Sequence, residues 1–352
     1  KWFSCIMENK PLVSIIILNY NAGNLLLDCV KSIYNSNYKN FEVIVVDNLS
    51  RDNSHLECKK QFNQIKLISN EENFGFCEGN NIGIRDAKGE FVVILNPDTI
   101  VDKNWLNEFI VAYKKNGDGL YQPKILVSTQ KNVLFSTGNM IQLFGFGFSR
   151  AKGEDDQKQF EVDQEVGYAS GTCLFTSSKI MKEIGNFDSF LFAFHDDLDL
   201  CWRGKMMGIK SYYIHKAIVF HPYEGYSFKW NPFKFFLMER NRLYCLMTHY
   251  KRTTYLKMIP SLLLIEIAVS LFHIRKRMFM AKLKANYDII KNLKKINSRY
   301  NEIQEKRKIS DKEIIRKFSD DIAVPPWVIK KNNNDYFNKI LVVVSRLSRK
   351  II

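Results

Sequence analysis

Apolar and polar residues alternate along the first hundred positions in blocks that predict strands and helices in turn. Continuous apolar runs, rich in β-branched residues, predict buried strands at 12–18, 41–46, 65–69 and 91–95. Apolar residues at helical spacing between these runs predict helices at 24–34, 52–62 and 77–87. Strands that are apolar throughout and alternate with helices are typical of a parallel sheet covered on both faces. The pattern therefore predicts an α/β fold.

The pattern is less regular from residue 117 to 225. Short apolar runs between polar stretches predict small strands and loops over 117–177, with an exposed, charged loop at 152–165. Short helices are predicted at 180–184 and 197–207, and Leu198 and Trp202, one turn apart, are expected to anchor the second of these in the core. An apolar strand over 211–220 then ends at His221.

The last third of the chain has the pattern of long helices, at 233–250 and over about 255–309. The segment 258–274 is apolar except for Glu266 and His273, and basic residues follow it directly. Its 17 residues are few for a membrane span, and a carboxylate at the centre of one is costly. We therefore expect a helix that lies at a membrane surface, the alternative being a helix packed on the body of the protein.

Charge divides the chain into a near-neutral part and a basic part. Residues 1–225 carry 24 Lys and Arg against 27 Asp and Glu, a net charge of −3, whereas 226–352 carry 28 against 10, a net charge of +18. This basic region favours an anionic partner: a membrane surface, nucleic acid or polyphosphate. Within it, Pro325-Pro326 is expected to end the helices, and residues 340–352 are expected to form a second basic, apolar segment.

Overall composition excludes several classes of protein. Hydrophobic residues make up 46% of the chain and charged residues 25%, which is ordinary for a globular protein and unlike a disordered or fibrous one. The seven cysteines form no CxxC pair, which argues against a zinc module or a disulfide framework and favours a reducing compartment.

Polar, loop-forming residues follow each of the first four predicted strands. They are Asn19 and Asn21, then Asp47 and Asn48, then Asn73, Gly75 and Asn80, then Asn96 and Asp98. In open α/β sheets, ligands bind at the carboxyl ends of the strands, near the point where the strand order reverses. We therefore expect these residues to line one cleft, although each residue type is also common in turns and helix caps.

Three other nucleotide-dependent classes are disfavoured. The chain has no GxGxxG fingerprint and no Gly-Lys-Ser/Thr phosphate loop, which argues against a dinucleotide oxidoreductase and a P-loop enzyme. A nucleotidyltransferase on a similar sheet usually carries a glycine-rich, basic loop after the first strand. Residues 19–24 have one glycine and no basic residue, which argues against that class as well.

A series of segments over residues 11–225 resembles, in the same order, the family 2 glycosyltransferases, especially their rhamnosyltransferase-like branch. These segments are VSIIILNYN, VIVVDNLSRDNS, NEENFGFCEGNNIGI, VVILNPDT, IGNFD, HDDLDLCWR and IVFH. The resemblance implies the GT-A fold, a Rossmann-like mixed sheet with helices on both faces. It also implies an inverting transfer of a sugar from a nucleotide-sugar donor, and it does not extend with comparable specificity into the basic region.

The resemblance also assigns a metal site. Asp98 matches the last residue of the family's DxD motif, which here reads Asn96-Pro97-Asp98 and so has one carboxylate fewer. Mg²⁺ or Mn²⁺ would neutralise the charge that develops on the diphosphate leaving group. His221 resembles the family histidine near the metal and the diphosphate. The alternatives are a cap or turn role for Asp98 and a structural role for His221.

Two further groups of roles follow from the resemblance. Asp47 would accept a hydrogen bond from the nucleobase, with Asn19 and Asn21 beside the base and ribose, while Asn73, Gly75 and Asn80 would form the wall near the ribose and diphosphate. Asp197 matches the aspartate of the family's Glu-Asp pair and is the expected general base, with Asp196 where glutamate is usual. Asp199 and Arg203 are expected to form a structural ion pair, and a charged helix start is the alternative for the whole cluster.

These expectations divide the chain into three parts. They are a leader of unknown role at 1–10, a catalytic GT-A domain at 11–230, and a basic, mainly helical and membrane-associated region at 231–352. The expected function is transfer of a sugar, rhamnose or another hexose, to a glycan or lipid-linked acceptor at the inner face of the cell membrane. The alternative is an inactive protein of this fold that binds a membrane or, less consistently with its apolar helix, nucleic acid.

Overall fold

A computed structural model of the chain describes residues 10–225, 231–323 and 335–352, with side chains in the last range from 337 onward. Residues 1–9 of the expected leader and the Pro325-Pro326 helix stop lie outside the described residues.

The predicted apolar runs form strands at nearly the predicted positions. The strands are β1 (Val13–Asn19), β2 (Phe41–Asp47), β3 (Lys66–Ser69), β4 (Phe91–Leu95), β5 (Ile100–Val101), β6 (Gly119–Val127), β7 (Gln130–Ser136), β8 (Asn139–Ile141), β9 (Gly147–Ser149), β10 (Gln164–Val166), β11 (Cys173–Ser177) and β12 (Lys210–His221). Buried side chains occupy every position of β4 and nearly all of β1, as expected for strands covered on both faces.

Helices connect these strands and form the last third of the chain. They are α1 (Asn24–Tyr34), α2 (Ser54–Gln61), α3 (Gly75–Asp86), α4 (Trp105–Asn116), α5 (Ser178–Ile184), α6 (Asp196–Met206), α7 (Pro232–His249), α8 (Arg252–Arg275), α9 (Phe279–Lys291), α10 (Leu293–Glu305), α11 (Asp311–Ile315) and α12 (Asp335–Ile351). Leu198 and Trp202 of α6 are buried, which confirms their expected role as core anchors.

The helical stretch expected over about 255–309 is divided in two places, at 276–278 and at Asn292. At the first break Arg277 has a φ of 57°, and the N–H groups of Arg277 and Met278 donate to the carbonyls of Ile274 and His273. This pair of bonds is the Schellman arrangement that ends many helices, usually with glycine in the left-handed position. An arginine holds that position here, so the sequence carries no glycine to mark the break.

The order of the strands places the expected cleft. In the described ranges the main sheet runs β10-β12-β6-β11-β4-β1-β2-β3, with β5 paired to β12 and β7 paired to β6. The chain passes from β1 to β2 and β3 on one side and then returns to place β4 on the other side of β1. The strand order therefore reverses between β1 and β4, where open α/β sheets bind their ligands.

The same topology brings two remote segments to this edge. β11 lies antiparallel to both β4 and β6, and β12 runs parallel to β6, so the carboxyl ends of β4 and β12 lie at one edge of the sheet. The short β5, just after Asp98, pairs antiparallel with the end of β12, with Ile100 opposite Phe220. This pairing places Asp98 beside His221.

The helices of the basic region share a hydrophobic core with the α/β part. Tyr244 and Leu246 of α7 and Met258 of α8 belong to the same buried cluster as Leu198 and Trp202 of α6. A second cluster covers the opposite face of the sheet, under α1, α2 and α4. The expected boundary near residue 230 is therefore crossed by continuous packing, and α7 and α8 support the α/β part directly.

Candidate active site

Asp98 and His221 form a buried pair at the edge of the sheet. The Nε2 atom of His221 lies 3.2 Å from Oδ1 of Asp98, and both side chains are buried. The Nδ1 atom of His221 lies 2.7 Å from the carbonyl oxygen of Pro222, which can only accept, so Nδ1 carries a proton. Nε2 is therefore the ring nitrogen that faces the carboxylate of Asp98.

A carboxylate oxygen and an imidazole nitrogen that lie this close together can serve as two ligands of one cation. One oxygen ligand and one nitrogen ligand suit a divalent ion that accompanies a diphosphate, because phosphate oxygens and water can fill the other coordination positions of the ion. Gly225 leaves space over the pair, because a Cβ there would lie 3.4 Å from Oδ2 of Asp98 and 3.6 Å from Cε1 of His221. The residues present therefore fit the expected metal site.

The two expected catalytic carboxylates begin α6. Oδ2 of Asp197 accepts a hydrogen bond of 2.9 Å from the N–H of Gly171, and Oδ1 accepts one of 2.8 Å from the N–H of Leu198. Burial raises the pKa of Asp197, and these N–H groups oppose the rise. Burial and the charge of Asp197 raise the pKa of Asp196 well above its ordinary value. The pKa is therefore raised further for Asp196 than for the less buried Asp197, which favours Asp197 as the charged member of the pair.

The loop before α6 is strained. Phe192, Phe194 and His195 have φ values of 64°, 66° and 60°, in the left-handed region that non-glycine residues rarely adopt. Each such residue costs on the order of 1 kcal/mol or more and persists only where surrounding structure enforces it. Such strain is common at catalytic sites, and here it immediately precedes the Asp196–Asp197 pair.

Two side chains of α7 enforce this conformation. The buried amide nitrogen of Asn241 lies 3.0, 2.8 and 2.7 Å from the carbonyl oxygens of Leu191, Ala193 and Phe194. Arg240 donates to the carbonyls of Phe190 and Leu191, each at 2.8 Å. Residues beyond position 231 thus hold the backbone that leads into the two candidate catalytic carboxylates.

Replacing Asn241 with leucine is expected to lower kcat about 10- to 100-fold and to change the KM for the donor little. The loop carbonyls would lose their donor, and a small displacement of Asp197 from the acceptor is enough for such a loss. Steady-state kinetics with both substrates varied measures the change in kcat separately from the change in KM.

Asn338→Leu is the matched control for that prediction, because the Asn338 amide makes two similar bonds to the backbone of Ile322, in the basic region. A kcat for Asn241→Leu equal to that of the control would contradict the positioning role.

The expected donor-binding residues form two hydrogen-bonded groups at the ends of β1 and β2. Asn19 donates to Oδ1 of Asp47 at 2.7 Å, and the N–H of Ser50 donates to Oδ2 of Asp47 at 2.9 Å. Oδ1 of Asn21 accepts from the N–H of Arg51 at 2.7 Å. Asp47 therefore organises the loop after β2, and its contact with a nucleobase stays a prediction.

The second group joins the end of β2 to the start of α3. Asn48 donates to the carbonyl of Gly75 at 3.0 Å and to Oδ1 of Asn73 at 3.2 Å. Gly75 has a φ of 75°, and a Cβ on it would overlap Phe192, so glycine is required there. Asn80 lies apart from this group, since its fully buried side chain bonds to the carbonyl of Phe76 one turn earlier in α3.

One short loop connects the candidate metal-site segment to the candidate catalytic carboxylates. The N–H of Asn96 donates to the carbonyl of Thr172 at 3.0 Å, while the neighbouring Gly171 donates to Asp197. The strand end that carries Asp98 and the helix start that carries Asp197 are therefore fixed to adjacent residues. Asn96, Asp98 and Asp197 thus meet at one edge of the sheet.

Two lysines that the sequence did not mark lie around this edge. The Nζ of Lys152 lies 4.1 Å from the ring centre of Phe135, whose ring packs 4.6 Å from that of His221. The Nζ of Lys234 lies 5.0 Å from the ring of Phe194. Burial lowers the pKa of Lys152 to about 8 and that of Lys234 to about 7, the latter also because the two lysines repel each other. Lys152 was expected in an exposed loop, and no local pattern distinguishes either residue.

A second cluster of possible metal ligands lies inside the protein. Asp199, Cys245 and His249 are fully buried with their donor atoms close together. Arg203 donates to Oδ2 of Asp199 at 2.6 Å, and Nε2 of His249 lies 3.2 Å from Oδ1. Burial alone would raise the pKa of Asp199, but Arg203 and His249 hold it well below its ordinary value. The expected ion pair is confirmed, and the cluster is structural.

Comparison with known proteins identifies the domain. Residues 14–185 match the model of the family described as glycosyl transferase family 2. These residues belong to that family. The match includes the ends of β1, β2 and β4, with Asn19, Asp47 and Asp98, and it ends before the Asp196–Asp197 pair and His221.

Curated relatives of this family 2 domain match over part of their length. An uncharacterized glycosyltransferase of Haemophilus influenzae is 38% identical over 113 residues, which are 31% of this chain and 35% of that protein. An Escherichia coli enzyme named UDP-Glc:alpha-D-GlcNAc-diphosphoundecaprenol beta-1,3-glucosyltransferase is 33% identical over 106 residues, which are 30% of this chain and 42% of that enzyme. The chain thus covers less than half of each of these two proteins.

A solved structure confirms the GT-A fold. The structure of GalNAc-T7 with UDP, GalNAc and Mn²⁺ aligns with 72% of this chain and 51% of its own, at a TM-score of 0.59 and 16% identity. The expected mixed sheet with helices on both faces, followed by a helical region, is therefore correct. The glycosyltransferase class expected from the sequence is confirmed for the domain.

Proposed function

We propose that the chain is an inverting glycosyltransferase. It would move a sugar, rhamnose or another hexose, from a nucleoside-diphosphate sugar to a glycan or polyprenyl-linked acceptor in the synthesis of a cell-envelope polysaccharide. The observation that carries the proposal is the junction at Gly171 and Thr172, which fixes the Asp98 strand end and Asp197 to adjacent residues of a family 2 domain. The E. coli relative's name, with its diphosphoundecaprenol-linked acceptor, supports the acceptor class.

The donor would lie across the reversal of strand order between β1 and β4. The group around Asp47 would face the nucleobase, and the group of Asn48, Asn73 and Gly75 would face the ribose and diphosphate. Support comes from the binding of UDP in the GalNAc-T7 structure, which shares this fold.

Asp98 and His221 would hold one divalent ion, Mg²⁺ or Mn²⁺, whose charge stabilises the diphosphate as it leaves. Support for a divalent ion comes from the Mn²⁺ of the GalNAc-T7 structure and from the close approach of the Asp98 carboxylate and the His221 imidazole. Lys152 and Lys234 lie on the same side and, when protonated, would add positive charge near the diphosphate.

Asp197 would act as the general base. Its carboxylate takes the proton of the acceptor hydroxyl, the hydroxyl oxygen forms a bond to the anomeric carbon, and the bond from that carbon to the diphosphate oxygen breaks. The electron pair of the broken bond stays on the diphosphate. Attack opposite the leaving group inverts the anomeric configuration. Burial and the charge of Asp197 raise the pKa of Asp196, which favours a pair that carries a single charge.

The proposal is tested by incubating the chain with UDP-, dTDP- and GDP-sugars, Mn²⁺ and a polyprenyl diphosphate-linked sugar. We expect one donor to release its nucleoside diphosphate, and the product to show the inverted anomeric configuration by nuclear magnetic resonance. Binding of a nucleotide without release from any donor would contradict transfer and favour an inactive protein of this fold.

A further inference from the structure

Helix α8 has one face in the protein core and one face exposed. Its inward residues Met258, Leu262, Ile265 and Val269 belong to the same buried cluster as Trp202. Its outward residues recur every three or four positions and are 38% to 62% exposed: Leu256, Ile259, Leu263, Ile267, Leu271 and Ile274. From 258 to 274 every exposed side chain of this fully described segment is apolar. A stripe of this length is unusual on a surface that meets water.

The carboxylate at the centre of α8 lies on the inward face. Glu266 forms ion pairs with Arg242 of α7 and Lys282 of α9, and both of these also pair with Glu239. Arg242 and Lys282 are 1% exposed. The charge of Glu266 is therefore neutralised within the protein, and the outward stripe stays apolar.

Two neighbouring helices extend the exposed apolar surface. On α9, Leu283, Tyr287 and Ile290 are 43% to 67% exposed at helical spacing, and the ion pair of Lys282 with Glu266 fixes α9 to α8. On α12, Val343 and Leu347 are exposed one turn apart, and Ser348 donates to Ser261 of α8 at 2.8 Å. We call the outward faces of α8, α9 and α12 the apolar platform.

The charges around the apolar platform are positive. Over 252–295, a range described throughout, every exposed charged side chain is basic; they include Arg252, Lys257, Arg275, Lys276, Arg277, Lys284 and Lys291. The two acidic residues of this range, Glu266 and Asp288, are half-buried and pair with arginines of α7. A second copy of the chain would bring the same positive rim against this one, whereas anionic lipid headgroups complement it.

We infer that the apolar platform binds an anionic lipid bilayer, with α8 lying in the interface and parallel to it. α8 is long and apolar enough to cross a membrane, yet its inward residues from Met258 to Val269 are buried in the core that it shares with α6 and α7. A spanning orientation would carry the buried Arg242–Glu266 pair into hydrocarbon. This lipid partner goes beyond the proposed function. One consequence, that bilayer binding brings the site to a lipid-linked acceptor at the inner face of the cell membrane, rests on the proposed function.

The test is co-flotation of the full chain with vesicles of neutral phosphatidylcholine, with and without about one-third phosphatidylglycerol. We expect binding to the anionic vesicles that weakens from about 0.1 M to 0.5 M salt, because screening shortens electrostatic attraction. Leu263→Glu/Ile267→Glu is expected to reduce the bound fraction more than about tenfold. Arg275→Glu/Lys276→Glu is expected to reduce it at least about fivefold for each charge.

Matched controls place the same changes elsewhere on the chain. Val111→Glu/Val162→Glu alters two valines that are 59% and 62% exposed on the catalytic domain, and Lys114→Glu/Lys115→Glu reverses two exposed lysines of α4. These controls should bind vesicles like the unaltered chain. Equal losses in the controls, binding independent of anionic lipid, or no binding would overturn the inference.

Two further readouts separate the remaining explanations. Light scattering without lipid should show monomers; dimers that the α8 variant dissociates would assign the apolar platform to a second copy and overturn the inference. Nucleoside diphosphate binding should be equal in all variants, which shows that they fold. Vesicle binding by a chain that binds no nucleotide would support the apolar platform and contradict the proposed function instead.

Discussion

Replacing Asp197 with asparagine is expected to lower kcat by at least about 10³-fold and to leave donor affinity within about threefold. A general base contributes about 10²- to 10⁴-fold, and an amide cannot take the acceptor proton. The asparagine has the same shape, so its oxygen keeps the hydrogen bond from Gly171. Transfer kinetics and calorimetric titration of the donor nucleotide measure the two effects separately.

Asp196→Asn is the control within the same pair, and it is expected to keep kcat within about tenfold. Burial and the charge of Asp197 raise the pKa of Asp196, which favours its protonated, uncharged form, and an amide resembles that form. If Asp196→Asn were the inactive variant and Asp197→Asn the active one, the base would be Asp196. If Asp197→Asn lost nucleotide binding, its role would be in the donor site.

Replacing Asp98 with asparagine is expected to lower nucleotide affinity when Mn²⁺ is present and not to lower it when divalent ions are absent. Removing a residue that only hydrogen-bonds a metal ligand lowers metal affinity about 10- to 100-fold. Removing a ligand itself should cost more, so with Mn²⁺ present the affinity for the nucleoside diphosphate should fall by more than that amount. Without divalent ions it should stay equal or rise, because a negative charge close to the diphosphate has been removed. Calorimetric titrations with Mn²⁺ and with chelator measure both arms.

Asp102→Asn is the matched control for that experiment, since it removes a carboxylate four residues further along, where Oδ1 accepts from the N–H of Asn104 at the start of α4. It should leave the metal dependence unchanged. An equal loss of affinity for Asp98→Asn with and without metal would show that Asp98 stabilises the loop and holds no ion.

The sequence predicts the parts of the fold that local patterns determine. Apolar residues fill all of β4 and most of β1 and β2, so burial on both faces could be predicted from the sequence pattern alone. The end of α8 could not be predicted from the sequence, because Arg277 occupies a left-handed position that usually requires glycine. Pro260 also lies inside α8, although proline often ends a helix.

The candidate site also contains residues that the sequence marks and residues that it does not. Asp98, Asp197 and His221 stand at strand ends or a helix start, and the family pattern marks them. Lys152 and Asn241 act through contacts with segments far away in the chain, on the ring of Phe135 and on the carbonyls before α6. Nothing in their local sequence carries that information.

The inward position of Glu266 also depends on residues that are remote in sequence, Arg242 and Lys282. Periodicity places Glu266 on α8 and shows that a charge interrupts the apolar stretch. It does not show which partners neutralise that charge, and these partners decide whether the outward stripe is apolar.

The most direct measurement of the central claim is thermal unfolding of the chain with UDP, dTDP and GDP, each with and without Mn²⁺. A ligand that binds the folded state raises the midpoint of unfolding, by about 5 °C or more at a hundredfold excess over its Kd. The account predicts such a rise for one nucleotide with Mn²⁺ and its loss in Asp98→Asn. No rise with any nucleotide, or the same rise without metal and in the variant, would contradict a metal-assisted nucleotide-sugar site.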